Sequence, residues 1–334
     1  MPAPTPPFPP GSPRVFSATG RWTPAAPGCA ATVGNFDGVH VGHAAIVRRL
    51  VEAAADRGLP AVAVSFDPHP AALLRPDSAP EPLSTPRRRA ELLAALGVDA
   101  IVVQPADRRL LALEPEAFYA WLLRGWLGAA VLVEGEDFRF GAARRGDVAL
   151  LASLGAADGV VVDVVAPVAV GGAPVSSSRV RRLLAEGAVA DAAALLTAPY
   201  RIEGTVVEGA KRGRTLGFPT ANLAAVATLV PADGVYAARA WVGDGAGPAA
   251  PYPAAVHVGP AVSFGVESRA IEVHLIGFSG DLYGQTLAVD FLERVRETRR
   301  FAGVEELVGQ LRADTARATE VAARTPVPRS AEAT

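Results

Sequence analysis

Between about residues 15 and 186, short runs of small and β-branched apolar residues alternate with longer stretches in which apolar positions recur every three or four residues. The first kind fits strands buried on both faces, at 31–34, 61–66, 100–104, 130–134 and 160–165. The second fits amphipathic helices, over 44–57, 86–96, 115–126 and 147–154. Strands alternating with helices predict a parallel sheet with helices on its faces, and ligands of such open sheets bind beyond the carboxyl ends of the strands. Two more helical stretches, 179–184 and 189–196, precede Pro199. Beyond it the pattern becomes strand after strand with glycine and proline between, at 200–207, 234–242, 254–258, 270–278 and 286–292. One amphipathic stretch, 304–322, follows. This half predicts a small antiparallel β-barrel closed by a C-terminal helix. The expected division is a tail over 1–14, an α/β domain over 15–186, a linker over 187–199, a barrel domain over 200–322 and a second tail over 323–334.

A chain of 334 residues, half of them apolar, has the length and the material for two hydrophobic cores. Its formal charge of −2 gives no general attraction to nucleic acid or to an anionic membrane. Neither is an expected partner, and a phosphate ligand must be held by local groups. The first 13 residues are rich in proline and have neither the basic start nor the apolar core of a secretion signal, and no apolar run is long enough to span a bilayer. The single cysteine, Cys29, leaves no internal disulfide and falls in an expected buried strand, so a reducing cytoplasm is the expected compartment. Of the 32 basic residues only Lys211 is a lysine.

Polar motifs concentrate at the expected strand ends. Gly34-Asn35-Phe36-Asp37-Gly38-Val39-His40-Val41-Gly42-His43 joins a strand to a helix. Glycines permit tight turning and close approach of backbone to a ligand, and the free N–H groups at a helix start attract anions. Gly34, Asn35, Phe36, Asp37 and Gly42 are therefore candidate phosphate-binding residues. His40 and His43 on one helical turn can direct imidazole donors at an α-phosphate, where charge builds as pyrophosphate leaves; such donors are worth about 3–4 kcal/mol each. A zinc pair or two surface histidines is the alternative, and three-residue spacing suits metal, but no thiolate or further histidine cluster accompanies it.

Ser65-Phe66-Asp67-Pro68-His69-Pro70 leaves Asp67 and His69 on a proline-stiffened frame, or is simply a braced turn. Glu134-Gly135-Glu136-Asp137-Phe138-Arg139-Phe140-Gly141, with Arg144 and Asp147, mixes aromatic faces, carboxylates and guanidinium groups, a blend that suits a base-and-phosphate ligand as well as a salt-bridged surface loop. Ser176-Ser177-Ser178-Arg179-Val180-Arg181 offers hydroxyls at a helix start followed by arginines, suited to gripping β- and γ-phosphates; a helix cap accounts for one hydroxyl but not for the guanidiniums.

In the second half, Gly204 to Arg214 ends a strand in a loop carrying Gly209, Lys211, Gly213 and Arg214, a candidate backbone cradle for a second set of phosphates that lacks the Walker pattern. Thr220 and Asn222, two apart beyond a proline, offer neutral oxygens that suit Mg²⁺ shared with phosphate and water. In Ile271-Glu272-Val273-His274-Leu275, strand alternation turns Glu272 and His274 away from the apolar face. Glu272 is then either a base for an alcohol that is to be phosphorylated or a charge on a solvated strand face.

Taken in order, GNFDGVHVGH, SFDPHP, the DFRFG loop with Arg144-Arg145-Gly146-Asp147, and SSSRVR resemble the adenylyltransferase half of the prokaryotic bifunctional riboflavin kinase/FAD synthetases, over about 30 to 184. GRTLGFPTANL, Gly234-Val235-Tyr236, Asp281-Leu282-Tyr283-Gly284 and the stretch 296–301 resemble its riboflavin kinase module, over about 200 to 314. The resemblance implies a Rossmann-like nucleotidyltransferase domain and a riboflavin kinase-like barrel. It implies ATP-dependent conversion of riboflavin to FMN and adenylylation of FMN to FAD, with Mg²⁺ as cofactor and riboflavin, FMN, FAD and ATP as ligands. His40, His43 and Arg181 match the family's ATP-phosphate residues, Thr220 and Asn222 its magnesium pair, Glu272 its base and Arg296 a position near flavin. Asp67, His69, Asp137, Arg139 and Phe140 are the flavin candidates of the first half. Where members usually have Asn-Ile-Gly and then Pro-Thr-Phe, this chain has His257-Val258-Gly259 and Val262-Ser263-Phe264. That departure keeps open a narrower form, an adenylyltransferase with a kinase-poor flavin-binding barrel, beside a third reading as a flavin-binding protein without turnover.

Overall fold

The computed structural model describes residues 14–17, 28–209, 212–245, 250–263 and 266–327. Most of the two expected tails lies outside them, at 1–13 and 328–334. The described chain divides into two compact units: residues up to Glu81 with Pro86–Ser176, and Pro82–Thr85 with the chain from Ser177 onward.

The first unit is built on a six-stranded sheet of β1 (Arg14–Ser17), β2 (Cys29–Val33), β3 (Ala61–Asp67), β4 (Ala100–Pro105), β5 (Ala129–Gly135) and β6 (Val161–Val165). The spatial order is β1-β4-β3-β2-β5-β6. β2 to β6 run parallel, as their apolar runs predict, while β1 adds an antiparallel edge with Arg14 opposite Val103. Sequence reading misses β1 because four residues are too few to display a period. β2 is buried throughout. Val33, Val64, Val102 and Leu132 pack on one face of the sheet, and Ala30, Val131 and Val133 meet Leu50 of the helix Val41–Ala55 on the other. Chain order reverses at β2, with β3 on one side and β5 on the other. The loops after β2 and β5 therefore open at the switch point where open α/β sheets bind ligands. The stretch 115–126 begins as the α-turn Pro115–Phe118 and widens into a π-helix, Tyr119–Trp126. Apolar spacing does not separate the two windings. A small hairpin, β7 (Ala169–Val170) with β8 (Ala173–Pro174), follows the sheet.

The second unit is a closed barrel of β9 (Tyr200–Val207), β10 (Ala221–Ala224), β11 (Gly234–Val242), β12 (Tyr252–Ser263), β13 (Val266–Leu275) and β14 (Thr286–Arg296), in the order β10-β13-β12-β11-β14-β9. β10 closes it by pairing antiparallel with both β13 and β9. That strand is absent from the sequence reading, where Asn222 figured as a metal ligand and 221–223 as the end of the GRTLGFPTANL motif. The helix Val304–Arg324 seats Ala318, Val321 and Ala322 against Ala237 and Leu292. Its carboxyl end is capped by the buried Arg239, which donates to the carbonyls of Ala322, Thr325 and Pro326. Inside the barrel wall, Arg201 and Asp290 form a buried pair with Nε–Oδ1 at 2.5 Å and Nη2–Oδ2 at 3.1 Å. The helix Ser177–Ala185, expected at the end of the first domain, packs in the second unit. Val180 and Leu184 are fully buried there, and Ala232 N–H donates to the Leu184 carbonyl at 2.9 Å.

Candidate active sites

His40 is the N-cap of the helix Val41–Ala55, where its Nδ1 accepts the His43 N–H at 3.2 Å. An Nδ1 that accepts carries no proton, so the neutral ring bears its hydrogen on Nε2. The two rings stack with centroids 3.6 Å apart, and Phe36 meets His43 edge-on at 5.2 Å. The loop reaches this arrangement through left-handed residues, Phe36 at φ 46, Gly38 at φ 80 and Val39 at φ 44. A β-branched residue there is strained, and such strain persists only where the surroundings over-determine it. Gly42 lies under the His40 ring: a Cβ would stand 3.0 Å from Nδ1. Burial pushes the His40 imidazole down to about 4, against the pull of its own backbone bond and the carboxylates of Asp137 and Asp37. Burial also holds His43 well below the usual histidine range, with His40 and Arg89 adding to the effect. Both rings are therefore neutral at pH 7, oriented donors rather than cations.

Two buried groups brace the loop. Arg89 donates to Ser65 Oγ at 2.6 Å and to the Phe66 carbonyl at 3.2 Å, and stands 3.7 Å from Asp37, while Ser65 donates to the Asn35 carbonyl at 3.1 Å. Glu134 accepts the Val33 N–H at 2.7 Å just before Gly34, and burial raises its carboxyl well above the ordinary range. Arg89 was not among the sequence candidates. It follows Arg87 and Arg88 in a charged helix, where only its place among buried Ala90 and Leu93 separates it from a solvated face.

The other expected residues of the first half fall unevenly. Asp137 lies close enough to the histidines to act on the His40 charge. Asp67 ends β3, and His69 caps the helix Pro70–Leu74 by accepting the Ala71 N–H at 3.0 Å. Arg139 is exposed and donates to the Phe138 carbonyl. Phe140 is a core ring, 4% exposed and stacked on Phe138 at 5.5 Å. Ser176 is the last residue of the first unit, whereas Ser177 and Arg181 lie on the helix Ser177–Ala185 of the second.

The barrel carries a cavity of about 540 Å³ whose lining includes Gly209, Gly213, Thr220, Asn222, Glu272 and Arg296. That volume suits a ligand of cofactor size. Six of the residues expected for a kinase site thus line one space. Asn222 stands opposite Glu272 across β10 and β13, and Glu272 opposite His257 across β13 and β12. Both glycines are required by close approach: a Cβ on Gly209 would fall 2.1 Å from Asn222 Nδ2, and one on Gly213 2.3 Å from the Phe218 carbonyl. Lys211 lies outside the described residues, and of Arg214 only the backbone is described, within the helix Arg212–Thr215. Arg296 forms a forked pair with Asp314, Nε–Oδ1 at 3.0 Å and Nη2–Oδ2 at 2.7 Å, and lies over Phe301 at 5.6 Å. Asp314 was not foreseen, though a signal existed. It falls on the stripe Leu307, Leu311, Asp314, Ala318, Val321 that otherwise reads as the helix's apolar face. Among the described residues no group of three His, Cys, Asp or Glu forms a metal cage. Neutral oxygens of Thr220 and Asn222 fit Mg²⁺ that takes its remaining ligands from phosphate and water.

A phosphate-type loop at a sheet switch point, joined in one chain to a barrel with a nucleotide-sized cavity, defines a two-domain transferase acting on phosphorylated ligands. Residues 23–179 match the family model of FAD synthetase and residues 196–322 that of riboflavin kinase. The chain belongs to the bifunctional riboflavin kinase/FMN adenylyltransferase family. It is 40% identical over 297 residues to the member from Pseudomonas fluorescens, covering 89% of this chain and 94% of that protein. With the member from Escherichia coli K12 it shares 38% over 293 residues, 88% of this chain and 92% of the other. A solved structure described as a macrolide-efflux protein from Streptococcus pneumoniae matches with a TM-score of 0.79 and 33% identity, over 90% of this chain and 96% of that one. Among the described residues of this chain, no helix is long and apolar enough to cross a membrane. The protein phosphorylates riboflavin to FMN and adenylylates FMN to FAD, with ATP as co-substrate of both steps.

Proposed function

We propose that the two steps are divided between the units, each with its own constellation of residues. In the first, the Gly34 to Asp37 loop and Gly42 let backbone N–H groups approach ATP, and His40 and His43 donate to the α-phosphate. An FMN phosphate oxygen attacks the α-phosphorus, the bond to the bridging oxygen breaks, and pyrophosphate leaves with that electron pair. Neutral donors already held in place stabilise the charge that develops, without reorganisation at the moment of reaction. Ser176, the last residue of this unit, keeps its sequence-based role as a phosphate ligand, and Asp137 faces the flavin end. What supports this most is the pair of stacked imidazoles, His40 buried and His43 half-buried, at a helix N-terminus on the sheet's switch point.

In the barrel, Glu272 accepts the proton of the terminal ribityl hydroxyl as its oxygen bonds the γ-phosphorus and ADP departs. Gly209 and Gly213 admit the phosphates; Thr220 and Asn222 would hold Mg²⁺, which would supply positive charge to the phosphates. Arg296, fixed by Asp314, forms part of the flavin wall. A cytoplasmic setting, where ATP and reduced cysteine coexist, suits this chemistry. Chromatography of flavins formed from riboflavin, ATP and Mg²⁺ tests the division. Replacing His40 and His43 with alanine stops FAD while FMN accumulates. Glu272→Ala stops FMN formation while FAD still forms from supplied FMN. Loss of both steps from either change rejects the assignment.

A further inference from the structure

Glu272 does not stand alone on the cavity wall. His257 is its in-register neighbour on β12, both line the cavity, and His257 Nδ1 lies 3.8 Å from Glu272 Oε2. The other edge of the ring lies over a glycine. A Cβ on Gly259 would come within 2.9 Å of His257 Nε2 and 3.1 Å of Cε1, and Thr298 Cγ2 would stand 3.4 Å from the same Cβ. The imidazole is thus laid over bare backbone, with its Nδ1 edge turned to the carboxylate.

We propose that His257 is a positioning residue for phosphoryl transfer: it engages Oε2 of Glu272 and so presents Oε1 to the flavin alcohol. The proposal rests on the reading of Glu272 as the base. A carboxylate has two equivalent oxygens and rotates freely about its last bond. Anchoring one oxygen fixes the other, the same logic by which a third group orients the base in a nucleophile–base pair. A separation of 3.8 Å is long for a hydrogen bond, and such contacts tighten when substrate fills the site. In the step itself the hydroxyl proton passes to Oε1, the oxygen bonds the γ-phosphorus, and the bond to the β–γ bridging oxygen breaks in favour of ADP. His257 exchanges no proton in that step.

The test measures FMN formation by the full chain with riboflavin, ATP and Mg²⁺. His257→Ala is expected to lower kcat roughly tenfold, within the coupling range of touching residues, and to leave the KM for riboflavin within about twofold. Formation of FAD from supplied FMN, a reaction assigned to the other unit, is the control for folding. Gly259→Ala, which drives a methyl group into the ring, should reproduce the kcat loss. In a Glu272→Gln background, followed by single-turnover kinetics, His257→Ala should add nothing. An unchanged kcat, a rise in KM alone, or a full further loss in the Glu272→Gln background each overturns the proposal. A Glu272→Gln enzyme with undiminished kcat overturns instead the assignment of the base, and this inference with it.

Discussion

Lowering the pH from 7.5 to 5 perturbs the histidine pair without changing the sequence. The ordinary histidine value is 6.5, and burial brings His40 to about 4 in the folded protein. Between those two values the unfolded chain binds a proton that the native state does not. The stability contributed by the neutral, buried ring is therefore intact above about 6.5 and is lost as pH falls toward 4. The two values together give a loss of about 2 kcal/mol at pH 5 and about 3 kcal/mol at pH 4 from this one side chain. His43 acts in the same direction, since burial lowers it too. Urea unfolding of the wild type and of His40→Gln at the two pH values reads the effect. The wild type should lose about 2 kcal/mol more than the variant, because glutamine has nothing to titrate. Proton NMR of the imidazole carbons gives the value directly, with the His40 resonance unmoved above pH 5. A His40 midpoint near 6.5, or equal pH slopes for the two proteins, would refute the burial argument.

Three further outcomes follow from contacts elsewhere. Gly42→Ala gains up to about 1 kcal/mol of helix propensity but places a methyl group 3.0 Å from the capping imidazole, so FAD formation should fall more than about tenfold while FMN formation and melting temperature barely change. Asp290→Ala leaves the Arg201 guanidinium without its buried carboxylate and should cost about 3–5 kcal/mol of barrel stability in denaturant titration. Chelating divalent cations should abolish FMN formation without shifting the unfolding midpoint, because Thr220 and Asn222 supply only neutral oxygens and the barrel closes through its own strands.

The architecture was largely legible because its strands fall into the two cases where pattern is strongest. β2 to β5 are buried along most of their length and read as unbroken apolar runs, and β9 and β11 are long enough to appear at their observed limits. The elements that escaped are short or carry mixed demands. β1 and β10 have four residues each, and β10 presents Asn222 to the cavity while Ala221 and Leu223 face inward. β12 and β13 run well beyond their apolar segments as a hairpin, since pairing with each other continues after the packing that marks a strand in sequence has ended.

The sites divide along the same physical line. Residues carried by a contiguous loop, such as Gly34 to His43, can be nominated from sequence because the turn, the helix start and the candidate chemistry share ten positions. Residues whose role depends on distant chain do not. Arg89 becomes a brace only when β3 and the β2 loop arrive beside its helix, and Asp314 becomes a clamp only when the C-terminal helix meets Arg296 on β14. Phe140 shows what sequence leaves unsaid: an aromatic ring in a charged loop, expected among the flavin residues, is folded into the core, where Gly146 gives it room. A Cβ on Gly146 would stand 2.7 Å from that ring, so Gly146→Ala should expel it and loosen the loop that carries Asp137. The partly exposed Phe138 stacks on the buried Phe140, so displacing the inner ring also unseats the outer one beside Asp137.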